Sequence, residues 1–212
     1  MKKLIFAGLT AVLISLSACN CNEPTKVACV GDSITEGAGV WPQSELAYPV
    51  VLDSLLGDQY NVLNLGRSAT TMLRDGDFPY WTAKEFSNVF AYEPEVIIIK
   101  LGTNDTKPQN WDAAKYESSY QAMIDTFNTI PANPQIFVCL PVPVFETKWG
   151  INDSTVVNGV IPTVKKIAER NNLPVIDLYE PMLDKGEMFF DSIHPDAQGA
   201  AAMAEIIAGE IL

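Results

Sequence analysis

Glu95-Val96-Ile97-Ile98-Ile99-Lys100-Leu101-Gly102-Thr103-Asn104-Asp105 is an apolar run that stops abruptly in a polar turn. Its β-branched residues favour extended backbone, and their continuity fits a strand covered on both faces, as in a parallel sheet. The same pattern recurs on either side of it. Residues 26–31, 60–66, 135–140 and 174–178 are short apolar runs, the first two closing at Gly31 and Gly66. Between them lie stretches with apolar residues at helical spacing: 45–56, 81–90, 112–130 and 155–171, with an Ala-rich closing helix over 197–212. Asp112 is placed to cap its helix, and Gly159 and Pro162 interrupt the start of the fourth. Strand and helix alternate five times, which predicts an α/β chain folded as a three-layer α/β/α sandwich around a five-stranded parallel sheet.

In such sheets chemistry collects beyond the carboxyl ends of the strands. The first strand runs into Gly31-Asp32-Ser33-Ile34-Thr35 and the second into Gly66-Arg67-Ser68-Ala69. The third runs into Gly102-Thr103-Asn104-Asp105. Past the fifth comes Asp191-Ser192-Ile193-His194-Pro195, which holds the single histidine of the chain. Four loops on one edge therefore bring together a hydroxyl, a backbone N–H, a carboxamide and an Asp/His pair. Histidine titrates near neutrality, so it can accept and return a proton at working pH. An aspartate three residues before it is spaced to hold one ring nitrogen and leave the other for a nucleophile.

The 212 residues, 48% hydrophobic, suit one domain with a sizeable core. Met1-Lys2-Lys3, an apolar stretch over 4–16 and Leu16-Ser17-Ala18-Cys19 resemble a bacterial lipoprotein signal. The apolar stretch is shorter than the ~20 residues a membrane span needs. The expected organisation is a signal peptide over 1–18, a lipidated tether over 19–25 starting at Cys19, and the folded domain over 26–212. That describes an exported protein touching the membrane through its anchor alone. Removing 1–18 removes two lysines and no acid, so the net charge moves from −12 to −14. Such a surface disfavours nucleic acid, whose binding needs a basic footprint. Cys21 falls in the tether, while Cys29 and Cys139 lie in strand runs as small hydrophobes. The cysteines and the lone histidine show no metal spacing and no disulfide framework.

The four loop blocks together resemble the SGNH (GDSL-type) hydrolase family over nearly the whole mature chain. The resemblance implies a flavodoxin-like sheet of order 2-1-3-4-5, in which Cys29 and Cys139 are not on neighbouring strands and stay reduced. It implies Ser33 as nucleophile with Asp191 and His194 completing a triad. It also implies an oxyanion hole of Ser33, Gly66 and Asn104, and no metal or cofactor. The second block departs from the family's usual Gly-x-Ser-Gly, with Ala69 in place of the last glycine. Arg67 adds a cation there, expected to pair with an acid more readily than to touch an anionic substrate. The Gly-x-Ser-x-Gly elbow of α/β-hydrolases is absent.

Three further stretches are similar to bacterial carbohydrate O-acetylesterases, some described as acting on sialate. They are Asp75-Gly76-Asp77-Phe78-Pro79-Tyr80-Trp81, residues 100–111 and Lys148-Trp149-Gly150-Ile151-Asn152-Asp153. Trp81, Trp111 and Trp149 could offer stacking faces to a sugar. The expected activity is a serine esterase that removes O-acetyl groups from carbohydrate. A lysophospholipase, thioesterase or arylesterase of the same fold is the nearest alternative. A non-catalytic glycan-binding lipoprotein lies further off, since all five proposed catalytic and oxyanion residues are present, as does a flavodoxin-like FMN or nucleotide carrier, since Gly37-Ala38-Gly39 lacks the third glycine and the lysine of nucleotide loops.

Overall fold

A computed structural model of the chain describes residues 23–212. The signal peptide over 1–18, the lipidation candidate Cys19 and Cys21 lie outside the described residues. Thr25, read as the end of a tether, already belongs to the first strand, where it pairs with Tyr60.

The elements are β1 (Thr25–Gly31), α1 (Ser33–Glu36), α2 (Gln43–Leu46), α3 (Tyr48–Leu56), β2 (Tyr60–Gly66), α4 (Lys84–Tyr92) and β3 (Val96–Lys100). There follow α5 (Ala113–Phe127), β4 (Gln135–Leu140), α6 (Asp153–Thr155), α7 (Ile161–Asn171), β5 (Val175–Asp177) and α8 (Ala197–Ile211). The five strands are all parallel, in the order β2-β1-β3-β4-β5. The predicted sandwich and strand order are those observed.

Alternation along the strands builds two cores. Ala28, Val30, Ile97, Ile99, Ile136 and Val138 face α4, α5 and α7 through Val89, Tyr116, Phe127 and Ile167. Val27, Cys29, Ile98, Phe137 and Cys139 face α3 and α8 through Tyr48, Leu52, Met203 and Ile207. Burying each large side chain contributes about 1.5–3 kcal/mol. Cys29 and Cys139 are free thiols in this second core, and burial pushes the Cys139 thiol up to about 12. Among the described residues no helix is long and apolar enough to cross a membrane.

One predicted helix breaks and another widens, each close to a proline, which has no backbone N–H to donate. The expected 45–56 helix divides at Ala47, whose extended backbone ends α2 and starts α3, with Pro49 in the first turn of α3. The expected 155–171 helix opens as α6, widens into a π turn over Val156–Val160, and becomes regular only from Ile161, with Pro162 in the first turn of α7. Asp112 caps α5 as predicted, accepting the Lys115 N–H at 3.0 Å. The 81–90 helix begins late, at Lys84, because residues 80–82 form a 3₁₀ turn and the Trp81 indole donates to the Met72 carbonyl at 2.9 Å.

Candidate active site

Ser33 is the first residue of α1, directly past the end of β1. Asp32 caps that helix, accepting the Ile34 N–H at 3.0 Å. The Asp32 carboxylate is fully buried and meets the Lys100 ammonium at 3.2 and 3.3 Å, and that ammonium also donates to Thr103 Oγ1 at 3.1 Å. The ends of β1 and β3 are thus clamped beneath the serine by a buried ion pair.

The 191–194 turn is organised by its own aspartate. Asp191 Oδ1 accepts the N–H of Ile193 at 3.0 Å and of His194 at 2.7 Å, while Oδ2 lies 2.7 Å from His194 Nδ1. Burial alone raises the Asp191 carboxyl, but these hydrogen bonds and the nearby imidazole outweigh it and hold it below the usual carboxylate range. Lys148 donates to the Asp191 carbonyl at 2.9 Å, and the Phe145 N–H to the Ser192 carbonyl at 2.9 Å, fixing the turn to the loop after β4. His194 Nε2 then lies 2.9 Å from Ser33 Oγ, across 161 residues of sequence. With Nδ1 facing a carboxylate, Nε2 is the nitrogen left to accept the serine proton.

Ser33, Ser68, Ala69, Asn104, Trp149 and His194 line one open pocket of about 340 Å³, together with Lys107. Gly66 is not among its walls. Its N–H donates to Asn64 Oδ1 at 2.9 Å, and a Cβ there would sit 2.1 Å from the Glu36 nitrogen. The expectation that Gly66 faces an oxyanion is therefore corrected: this glycine exists so that α1 can lie against β2. The pocket wall is formed by Ala69, held at φ 66°, a left-handed conformation that alanine seldom adopts. The backbone N–H groups of Ala69 and Ser33 make no hydrogen bond among the described residues. The family's second glycine, replaced here by Ala69, was the signal for this conformation. Asn104 lines the pocket, and its amide donates to the Thr70 carbonyl at 3.1 Å.

The loop that carries Ala69 is tied down from both sides. Glu36 accepts the Ser68 N–H at 2.8 Å and also its hydroxyl. Buried Asp105 accepts the N–H of Met72 at 3.0 Å and of Leu73 at 2.8 Å. Burial pushes the Asp105 carboxyl up to about 7, against the pull of those two donors. Its folded value lies above the unfolded value of about 3.9, so its contribution to stability is complete below that pH and fades as pH rises through about 7. The thermal-midpoint difference between the wild type and Asp105→Asn should accordingly shrink from pH 4 to pH 8, by an equivalent of up to roughly 4 kcal/mol. Melting curves of both proteins across that range check it, and a difference independent of pH would contradict it.

The three tryptophans separate. Trp149 is 66% exposed beside His194, ring centroids 6.2 Å apart. Trp81 packs under the Arg74 guanidinium, 4.0 Å from its ring, and Trp111 packs on Tyr116 and Gly159 away from the pocket. Two exposed aromatics escaped the sequence reading. Phe190 stacks on the His194 ring at 6.1 Å, and Phe78 stands 60% exposed near Ala69. Arg67 makes no ion pair among the described residues, contrary to the expectation that it meets an acid.

Comparison with known proteins bears on this geometry. The model of the GDSL-like Lipase/Acylhydrolase family matches residues 29–202. An acetylxylan esterase of Xylanibacter ruminicola is 39% identical over 208 residues, covering 89% of this chain. The chain spans only 43% of that relative's length. The crystal structure of an acetyl xylan esterase superposes with a TM-score of 0.70 at 22% identity, over 88% of this chain and 100% of that one. A two-domain esterase active on acetylated mannans, co-crystallised with mannopentaose, superposes with a TM-score of 0.67 at 20% identity, over 89% of this chain and 49% of that one. Likeness at these identities speaks to the fold alone.

Proposed function

Because this chain belongs to the GDSL-like lipase/acylhydrolase family, we propose that it is a serine esterase that removes O-acetyl groups from xylan-type glycans. The observation that carries the reading is the unbroken line from Ser33 Oγ through the His194 ring to Asp191, opening into a pocket. The name of the Xylanibacter ruminicola relative supports the choice of acyl group and sugar.

In this reading Ser33 Oγ attacks the acetyl carbonyl carbon and its proton passes to His194 Nε2. Asp191 holds the ring's other nitrogen and stabilises the imidazolium. Negative charge on the carbonyl oxygen is met by the Ser33 and Ala69 N–H groups and the Asn104 amide, each such donor being worth about 10²–10³ in rate. His194 gives its proton to the departing sugar oxygen, leaving an acetyl-serine. Water then attacks that ester, its proton goes to Nε2, and acetate leaves as the serine is restored.

O-acetylated sialic acid is a second reading, favoured by the exposed guanidinium of Arg67 near the pocket, which makes no ion pair among the described residues. The test is hydrolysis of acetylated xylo-oligosaccharide and acetylated sialic acid, read as acetate released, and of lysophospholipid, read as fatty acid released, with Ser33→Ala as blank and fluorophosphonate labelling of Ser33 as the control for a live nucleophile. Xylo-oligosaccharide should lead. Turnover confined to lysophospholipid overturns the carbohydrate reading. A serine that resists labelling overturns the esterase reading altogether.

A further inference from the structure

On the far side of the Ser68–Ala69 backbone lies a second cavity of about 350 Å³, lined by Arg67, Asp77, Phe78 and Thr82. Two features join it to the pocket of Ser33. Ser68 and Ala69 line both cavities. Lys107, in the wall of the first, donates to Asp77 Oδ2, in the wall of the second, at 3.4 Å. The two cavities are therefore neighbours, with Ser68 and Ala69 as their common wall.

The second cavity is built rather than incidental. Asp77 is held by a reciprocal pair of bonds, its N–H donating to Asn110 Oδ1 at 2.9 Å and the Asn110 amide donating to Asp77 Oδ1 at 2.8 Å. Phe78 is fixed in place because its carbonyl accepts the Thr71 N–H at 2.9 Å and the Tyr80 N–H returns to the Thr71 carbonyl at 3.0 Å. With the backbone that presents the exposed aromatic face already fixed, only the side chain's own rotamers remain to be ordered on binding. Around that face stand a cationic donor, an ionised acceptor and a hydroxyl. One apolar plane ringed by polar groups matches a pyranose, whose C–H face is apolar and whose rim carries hydroxyls.

We propose that this second cavity is a sugar subsite, holding the unit next to the acetylated one, so that the protein acts on oligomeric or polymeric glycan rather than on acetylated monosaccharides. This rests on the carbohydrate-esterase reading above. Trp149 at the end of the first pocket and Phe78 in the second supply an aromatic face at each position.

The experiment compares kcat/KM on acetylated xylotetraose, singly acetylated xylose and p-nitrophenyl acetate for the wild type, Phe78→Ala and Thr82→Trp. The first variant removes the stacking face, and the second fills the cavity from an exposed position. In both, the ratio of xylotetraose ester to p-nitrophenyl acetate activity should fall about tenfold, the scale of one lost aromatic contact. The ratio of xylose ester to p-nitrophenyl acetate should hold. Unchanged ratios for xylotetraose in an active wild-type background overturn the subsite alone. Wild-type turnover of p-nitrophenyl acetate with neither sugar ester overturns the carbohydrate reading and the subsite with it.

Discussion

His194→Ala should lower kcat on p-nitrophenyl acetate by about 10⁴–10⁶ while leaving the circular dichroism spectrum unchanged. The chain holds no second imidazole that could take over the proton. Ser33 Oγ has His194 Nε2 at 2.9 Å, so removing the ring leaves a hydroxyl near its ordinary acidity facing an ester. What remains is the rate provided by binding and by the amide donors of the pocket. Residues that act as one unit are not additive in their losses, so the Ser33→Ala/His194→Ala double variant should be hardly slower than either single one. Near-normal turnover in His194→Ala would end the triad assignment, and a multiplicative loss in the double variant would show two independent routes.

The second large effect is on stability. Lys100→Met should destabilise the protein by about 3–5 kcal/mol, because it strands the Asp32 carboxylate in a site with no access to water. For a domain of this size that corresponds to a fall of about 6–20 °C in the midpoint of thermal unfolding. A buried ion pair is not itself strong evidence of net stabilisation, since an apolar pair of similar volume can do as well. The partner left alone is what costs. Adding Asp32→Asn to Lys100→Met should therefore recover part of the loss, an outcome that simple loss of packing at position 100 does not produce. Urea unfolding of the two single variants and the double one gives the coupling directly. Additive losses would show that the ammonium and carboxylate do not act as a pair.

The sheet was legible because its evidence is periodic. Continuous apolar runs such as Val96–Lys100 need cover on both faces, and the alternating helical stretches provide it. Ser33 and Asn104 were locatable because each lies just past the end of its strand, and Asp191 and His194 because the chain holds a single histidine with an aspartate three residues before it. The loop from Arg67 to Pro79 was not. Its path depends on Asp105 holding Met72 and Leu73, Ser119 holding Arg74, and Asn110 holding Asp77. Each of those partners lies more than thirty residues away, and no local pattern announces it. That is why Gly66 was read as facing the pocket, which Ala69 lines instead, and why Phe78 was not singled out. The break at Ala47 and the π turn ahead of Ile161 were half visible. Proline marks the neighbourhood of a break, but the turn that replaces the missing bond depends on what packs around it.

All five strands point the same way, so Thr25 opens β1 at the rim of the sheet opposite to Ser33, roughly 20 Å away along seven residues of strand. An attachment made through residues ahead of Thr25 grips the molecule from behind. Held on any surface in that manner, the protein would stand with the Ser33 pocket turned outward, and the support would not stand in the way of whatever enters that pocket from solution.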